Sequence, residues 1–160
     1  MDNRNLRGSN FATTSSLLTA TGAETVHDTT VLLNFCINGK AYTKSGTNAD
    51  QTTPTTDYST SAAFVALTTS QGAIVVWAYN SSGTVKCMQG PAQTLNADGT
   101  FKVAPQFPSV PDDVCPFAYQ VLKAGATATT VTFGTSNWNA TGFTNAIVNV
   151  LVLPDRPQIA

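Results

Sequence analysis

Glutamate is almost missing from this sequence. Glu24 is the only one, and lysine occurs only at Lys40, Lys44, Lys86, Lys102 and Lys123. Charged residues make up 11% of the 160 positions, against roughly 25% in an ordinary globular domain. The straight-chain residues that favour solvated helix faces are therefore scarce, and helices have little to be built from. Eight basic residues stand against nine acids without clustering. That excludes the basic face a nucleic-acid binder needs. No apolar run approaches the roughly 18 residues that cross a bilayer, so no membrane partner is expected.

Other absences exclude chemistry. His27 is the only histidine, so no histidine-rich metal site can form. It sits beside Asp28 and reads as a surface side chain. No G-x-S-x-G elbow and no glycine-rich phosphate loop is present. Cys36, Cys87 and Cys115 form no C-x-x-C pair, which argues against zinc and thioredoxin-type chemistry. Three reduced thiols, and assembly in a reducing compartment, are expected. The turn Leu95–Phe101 lacks the alternating oxygen ligands of a calcium loop. Asp50 and Asp57 share one loop and are the least poor pair for acid–base work, but nothing places them in a cleft. Met1–Asn10 lacks the apolar core of a signal peptide. The sequence thus predicts no enzyme, no cofactor and no metal.

What is present is Thr, Val, Ser, Ala, Asn and Gly. Thr and Val are β-branched and suit a pleated surface. Thr29–Ile37 reads as a strand, Asn38-Gly39 as a type I′ hairpin turn, and Lys40–Thr43 as the return. Ala62–Thr68 and Ala73–Tyr79 follow as strands. Asn80–Gly83 is a turn, and Thr84–Gln89 returns. Pro105, Pro108, Pro111 and Pro116 make Ala104–Phe117 an extended connection or edge. Phe117–Lys123, Thr129–Phe133 and Ala146–Leu153 complete the set, the last reading as a strand buried on both faces. Ser45–Ser61 reads as a long polar loop. The fold class is therefore all-β, a single β-sandwich or barrel domain of about eight strands with an extended N-terminal arm.

The arm is residues 1–26 and the domain residues 27–160. Two readings of the arm stand: a mobile end, or a docking arm that orders on a partner. In the second, Arg4 and Arg7 are anchors, and Leu6, Phe11, Leu17 and Leu18 are apolar pegs. Among the aromatics, Trp77 and Tyr79 share a strand face and are expected in the core. Phe143 is a further candidate for sugar stacking. Trp138, in a loop-like stretch, is expected either to cap the core or to meet an interface or ligand.

A charge-poor, Thr/Ala/Gly-rich β domain behind a polar arm resembles the capsid decoration, or cement, proteins of tailed bacteriophages. The stretch Phe133–Gly142, followed by the apolar strand and Leu153-Pro154-Asp155-Arg156-Pro157, has the same flavour. The chain differs from the lambda-type members in its length and in the Ser45–Ser61 loop. The resemblance implies a virion protein, made in the host cytoplasm, that binds the outer capsid surface and stabilises the shell. It implies the major capsid protein as partner and a homo-oligomer, a trimer about local threefold axes. The competing expectation is a receptor- or glycan-binding fibre or tail module, resting on Trp138 and the Asn/Thr-rich loops.

Overall fold

The computed structural model describes residues 10–15, 17–23 and 25–158. Among them there is no helix; eleven strands form three sheets. Two long strands make the spine: β7 (Gln71–Asn80) and β10 (Val114–Ala124), paired antiparallel. β8 (Val85–Gln89) and β9 (Gln93–Thr94) pair with β7, and β11 (Phe143–Asn149) pairs with β10. The first small sheet orders β1 (Phe11–Ala12), β4 (Leu33–Ile37) and β5 (Lys40–Lys44). The second orders β2 (Leu18–Thr19), β3 (Val26–Thr29) and β6 (Asn48–Thr52).

The near-continuous apolar run of β7 follows from burial on both faces. Ala73, Val75, Trp77 and Tyr79 pack into one core against side chains of the small sheets: Ala12, Leu18, Leu33, Phe35 and Ile37. Ile74, Val76 and Ala78 enter a second core, closed by Leu95, Phe101, Phe107 and Val110 from the connections. The proline-rich segment is thus the lid of a core.

β10 shows how a proline enters a central strand. Its register against β7 shifts between Pro116 and Ala118, leaving Phe117 as the extra residue of a bulge. Alternation changes phase there. Cys115 and Phe117 face the first core, and after the bulge Ala118, Leu122 and Ala124 do, while Tyr119 and Val121 face the second. A bulge is where a strand tolerates a residue with no N–H to donate. The Phe117 carbonyl accepts from the Val150 amide at 2.9 Å.

The Asn38-Gly39 turn forms as expected, with both residues at positive φ (51° and 78°), and joins β4 to β5. Gly134 marks a second constraint. It has φ 73°, and a side-chain carbon there would lie 2.2 Å from the Pro54 carbonyl oxygen.

Four expectations need correction. Ser45–Ser61 is not all loop, because β6 pairs with β3 within it. Ala62–Thr68 and Thr129–Phe133 form only single bridges, Thr56 to Ala63 and Leu67 to Val131; Phe64, Leu67, Val131 and Phe133 are buried without neighbours for a ladder, while Val65 is exposed. The C-terminal strand ends at Asn149 and is an edge paired on one side only, so Leu151 and Val152 emerge half-exposed. The stretch expected as an arm enters the domain at Asn10. Asn10 Nδ2 donates to the carbonyls of Asp112 and Val114, each at 2.8 Å, and Asn10 Oδ1 accepts from the Asn38 backbone amide. Ala12, Leu18 and Ala20 are buried in the first core.

Candidate functional site

The residues expected to meet a partner divide three ways. Arg4, Leu6 and Arg7 lie outside the described residues. Leu18, 5% exposed, is turned into the protein's own core, and Phe11 is partly covered in β1 opposite Cys36. Leu17 is 50% exposed at φ 44°. The swap between neighbours follows from strand alternation: pairing Leu18 with Thr29 turns its side chain inward.

Ala12, Thr13, Thr14 and Leu18 are stitched to neighbouring segments on both sides. The Ala12 amide donates to the Leu151 carbonyl at 2.8 Å, and the Leu18 amide to Asn149 Oδ1 at 2.9 Å. Opposite, the Thr13 amide donates to the Asn34 carbonyl and Thr14 Oγ1 to the Leu32 carbonyl, both at 2.8 Å. This brings four half-exposed apolar side chains, Leu17, Leu32, Leu151 and Val152, to the borders of one segment. The sequence does not reveal this grouping, because the residues belong to three separate stretches of chain.

Trp138 is not a surface aromatic. It is 3% exposed, its indole N–H donates to the Val26 carbonyl at 2.8 Å, and its ring meets Phe133 edge-on. Phe143 is likewise buried. Trp77 and Tyr79 are in the core as expected. Trp77 Nε1 donates to Gln120 Oε1 at 3.1 Å, and Gln120 Nε2 to Asn145 Oδ1 at 3.0 Å. This satisfies a glutamine with no exposed surface.

Asp50 and Asp57 do not form a pair. Asp50 is exposed on β6 at φ 52°, its amide donating to Asp28 Oδ1. Asp57 is buried. Its Oδ1 accepts from Ser59 N, Ser59 Oγ and Thr60 N, and its Oδ2 from Gln89 N at 2.7 Å. A carboxylate so occupied pins a turn to β8 and has little capacity left for a substrate.

His27, read from the sequence as a surface side chain, is 2% exposed. Its ring packs edge-on against Trp77 with centroids 4.9 Å apart, Nδ1 lies 3.4 Å from Thr53 Oγ1, and Nε2 has no hydrogen-bond partner among the described residues. Burial lowers its pKa to about 4, partly offset by Asp28 and the Gln51 backbone. The imidazole is therefore neutral at pH 7. The missing signal is physical: His27 alternates inward with Thr29 on a short strand, and polar residues fill both positions.

No group of three His, Cys, Asp or Glu side chains that could hold a metal ion occurs among the described residues. The three cysteines are free thiols; Cys87 and Cys115 are buried and Cys36 partly so. Burial raises the thiol pKa of Cys115 to about 12, and that of Cys87 well above its ordinary value. Neither offers a reactive thiolate.

Fold and surface define a charge-poor, all-β sandwich-type domain whose grouped exposed apolar residues border the segment that follows Asn10. The chain matches no protein-family model, no curated protein and no solved structure.

Proposed function

We propose that the protein is a virion structural protein that binds the outer surface of a phage capsid and stabilises the shell. It would act through the major capsid protein and as a homo-oligomer, a trimer on the resemblance described above. The observation that carries this reading is the grouping of Leu17, Leu32, Leu151 and Val152 around the segment formed by residues 12–15 and 17–18. Exposed apolar residues at a site low in charge suit a surface that is covered in use. Residues 1–9, with Arg4, Leu6 and Arg7, precede this segment in the sequence. A ligand that binds only the assembled shell shifts the equilibrium toward it, and repetition over the shell multiplies weak contacts.

The test is copy number per purified particle, by quantitative mass spectrometry against the major capsid protein. Many copies in a simple ratio to the shell subunit support decoration. A few copies point instead to a fibre or tail component, and absence from particles removes the virion reading. The fibre or glycan-binding alternative rests on the Asn/Thr-rich loops alone, since Trp138 is buried.

A further inference from the structure

The longer sheet edges of this protein are guarded, except one. β5 carries Lys40 and Lys44 at its two ends, and β6 carries Asp50 at φ 52°. The outer side of β8 is covered: the Cys87 carbonyl accepts from the Tyr58 amide at 2.9 Å, and the Gln89 amide donates to Asp57 Oδ2. Charges, kinks and covering loops are the usual devices against strand-to-strand association. β11 has none of them; Phe143–Asn149 holds no charged residue and no proline. Two bonds fix which way its backbone faces: Gly125 N to Gly142 O at 2.8 Å and Val150 N to Phe117 O at 2.9 Å. Thr144, Ala146 and Val148 therefore bond to β10, and the N–H and C=O groups of Asn145, Ile147 and Asn149 point away from the sheet. Among the described residues no backbone group bonds to them. Closure begins only at Leu151, whose carbonyl accepts from the Ala12 amide.

We propose that two copies of the chain pair through this edge, β11 on β11, antiparallel about a twofold axis at Ile147. Self-complementarity selects the second copy. In this register Ile147 faces its own counterpart, Ala146 faces Val148, and Asn145 faces Asn149. A slip of two residues in either direction sets an asparagine against Ile147. Asn145 Oδ1 already accepts from Gln120 Nε2 at 3.0 Å, and Asn149 Oδ1 from the Leu18 amide at 2.9 Å. Neither Nδ2 has a partner among the described residues, and each can donate to the second lone pair of the oxygen it faces. No charge is brought into the contact. The same pairing of β5 about Tyr42 sets Lys40 against Lys44, and like charges directly opposite are destabilising. Pairing β11 with β5 or β6 of another copy brings a charge to an apolar strand and continues without closing. Leu151 and Val152, half-exposed, prolong the apolar margin just beyond the open stretch. The pairing concerns the free protein and rests neither on shell binding nor on a threefold arrangement there.

The test follows the full chain by amide hydrogen exchange and sedimentation, from low to high micromolar concentration. A species of two chains is expected to form as concentration rises. The Asn145, Ile147 and Asn149 amides are then expected to exchange at least about tenfold more slowly, while those of Ala146 and Val148, already bonded to β10, change little. Ile147→Lys sets like charges face to face at the axis and is expected to weaken pairing at least about tenfold. Ile147 also packs on the first core, so if that variant unfolds, the exchange comparison on the unaltered chain decides. Fast exchange of the three outward amides at every concentration overturns the proposal. A free protein of three chains, open-ended growth, or a folded Ile147→Lys variant that pairs as before overturns it as well, the last by showing that a different surface joins the copies.

Discussion

At the scale of single residues, His27 carries the largest electrostatic consequence. Its folded pKa, about 4, lies below the ordinary 6.5. The unfolded chain therefore takes up the proton first on acidification. The neutral, buried imidazole contributes full stability above about pH 6.5, and that contribution is lost as pH falls toward 4. The loss reaches roughly 3 kcal/mol at its limit and about 2 kcal/mol by about pH 5. Urea unfolding at pH 7 and pH 5 is expected to show this drop, and His27→Leu to flatten it. An unchanged slope in that variant would mean other groups carry the acid response. None of this was legible in the sequence, where a lone histidine beside Asp28 looks solvated. Burial comes from Trp77 and Thr53, which are distant in the chain. Trp138 was undecidable for the same reason, since its partner is the Val26 carbonyl.

Legibility improves for whole elements wherever a strand's own pattern determines its fate. β7 reads as an unbroken apolar strand because both its faces are covered, and the β4–β5 hairpin reads from Asn38-Gly39. β6 was hidden because its outward residues are polar and it lies at a sheet edge. The start of β10 was hidden by Pro116, which normally argues against a central strand. The bulge resolves that conflict, and it makes Phe117 a sensitive position. Phe117 has no exposed surface and stacks on Tyr79 with centroids 4.5 Å apart. Phe117→Ala is expected to cost about 3–5 kcal/mol, measured from denaturant midpoints. Deleting Phe117 would remove the bulge and leave Pro116 opposite Ala78 and Ala118 opposite Trp77 in a regular ladder, with Ala118–Ala124 on the faces they already occupy. The deletion is therefore expected to cost about as much as Phe117→Ala, read from the same denaturant midpoints. A much larger loss would show that the bulge itself supports the strand.

For the whole molecule, the boundary between tail and domain decides what a truncation can test. Removing residues 1–26 would strip Ala12, Leu18 and Ala20 from the core together with the Asn10 clamp. That variant is expected to unfold, and its failure to bind shells would say nothing about docking. Removing residues 1–9 takes away Arg4, Leu6 and Arg7 and leaves every described contact intact. The expected result is an unchanged melting temperature with at least about tenfold weaker shell binding. Co-sedimentation with purified capsids checks it, and undiminished binding would rule these residues out of the interface.

The order in which the chain leaves the ribosome gives the two-faced burial of β7 another meaning. β8 follows at once and can close a hairpin on one edge of β7. The strand that covers its other edge, β10, is separated from it by residues 81–113. For the few seconds their synthesis takes, a ten-residue strand with Ile74, Val75, Val76 and Trp77 at its centre waits with an open edge. Uncharged apolar strands in that state seek other chains. Yield of soluble protein is thus a matter of translation rate and chaperone supply during that interval, whatever the stability of the finished fold.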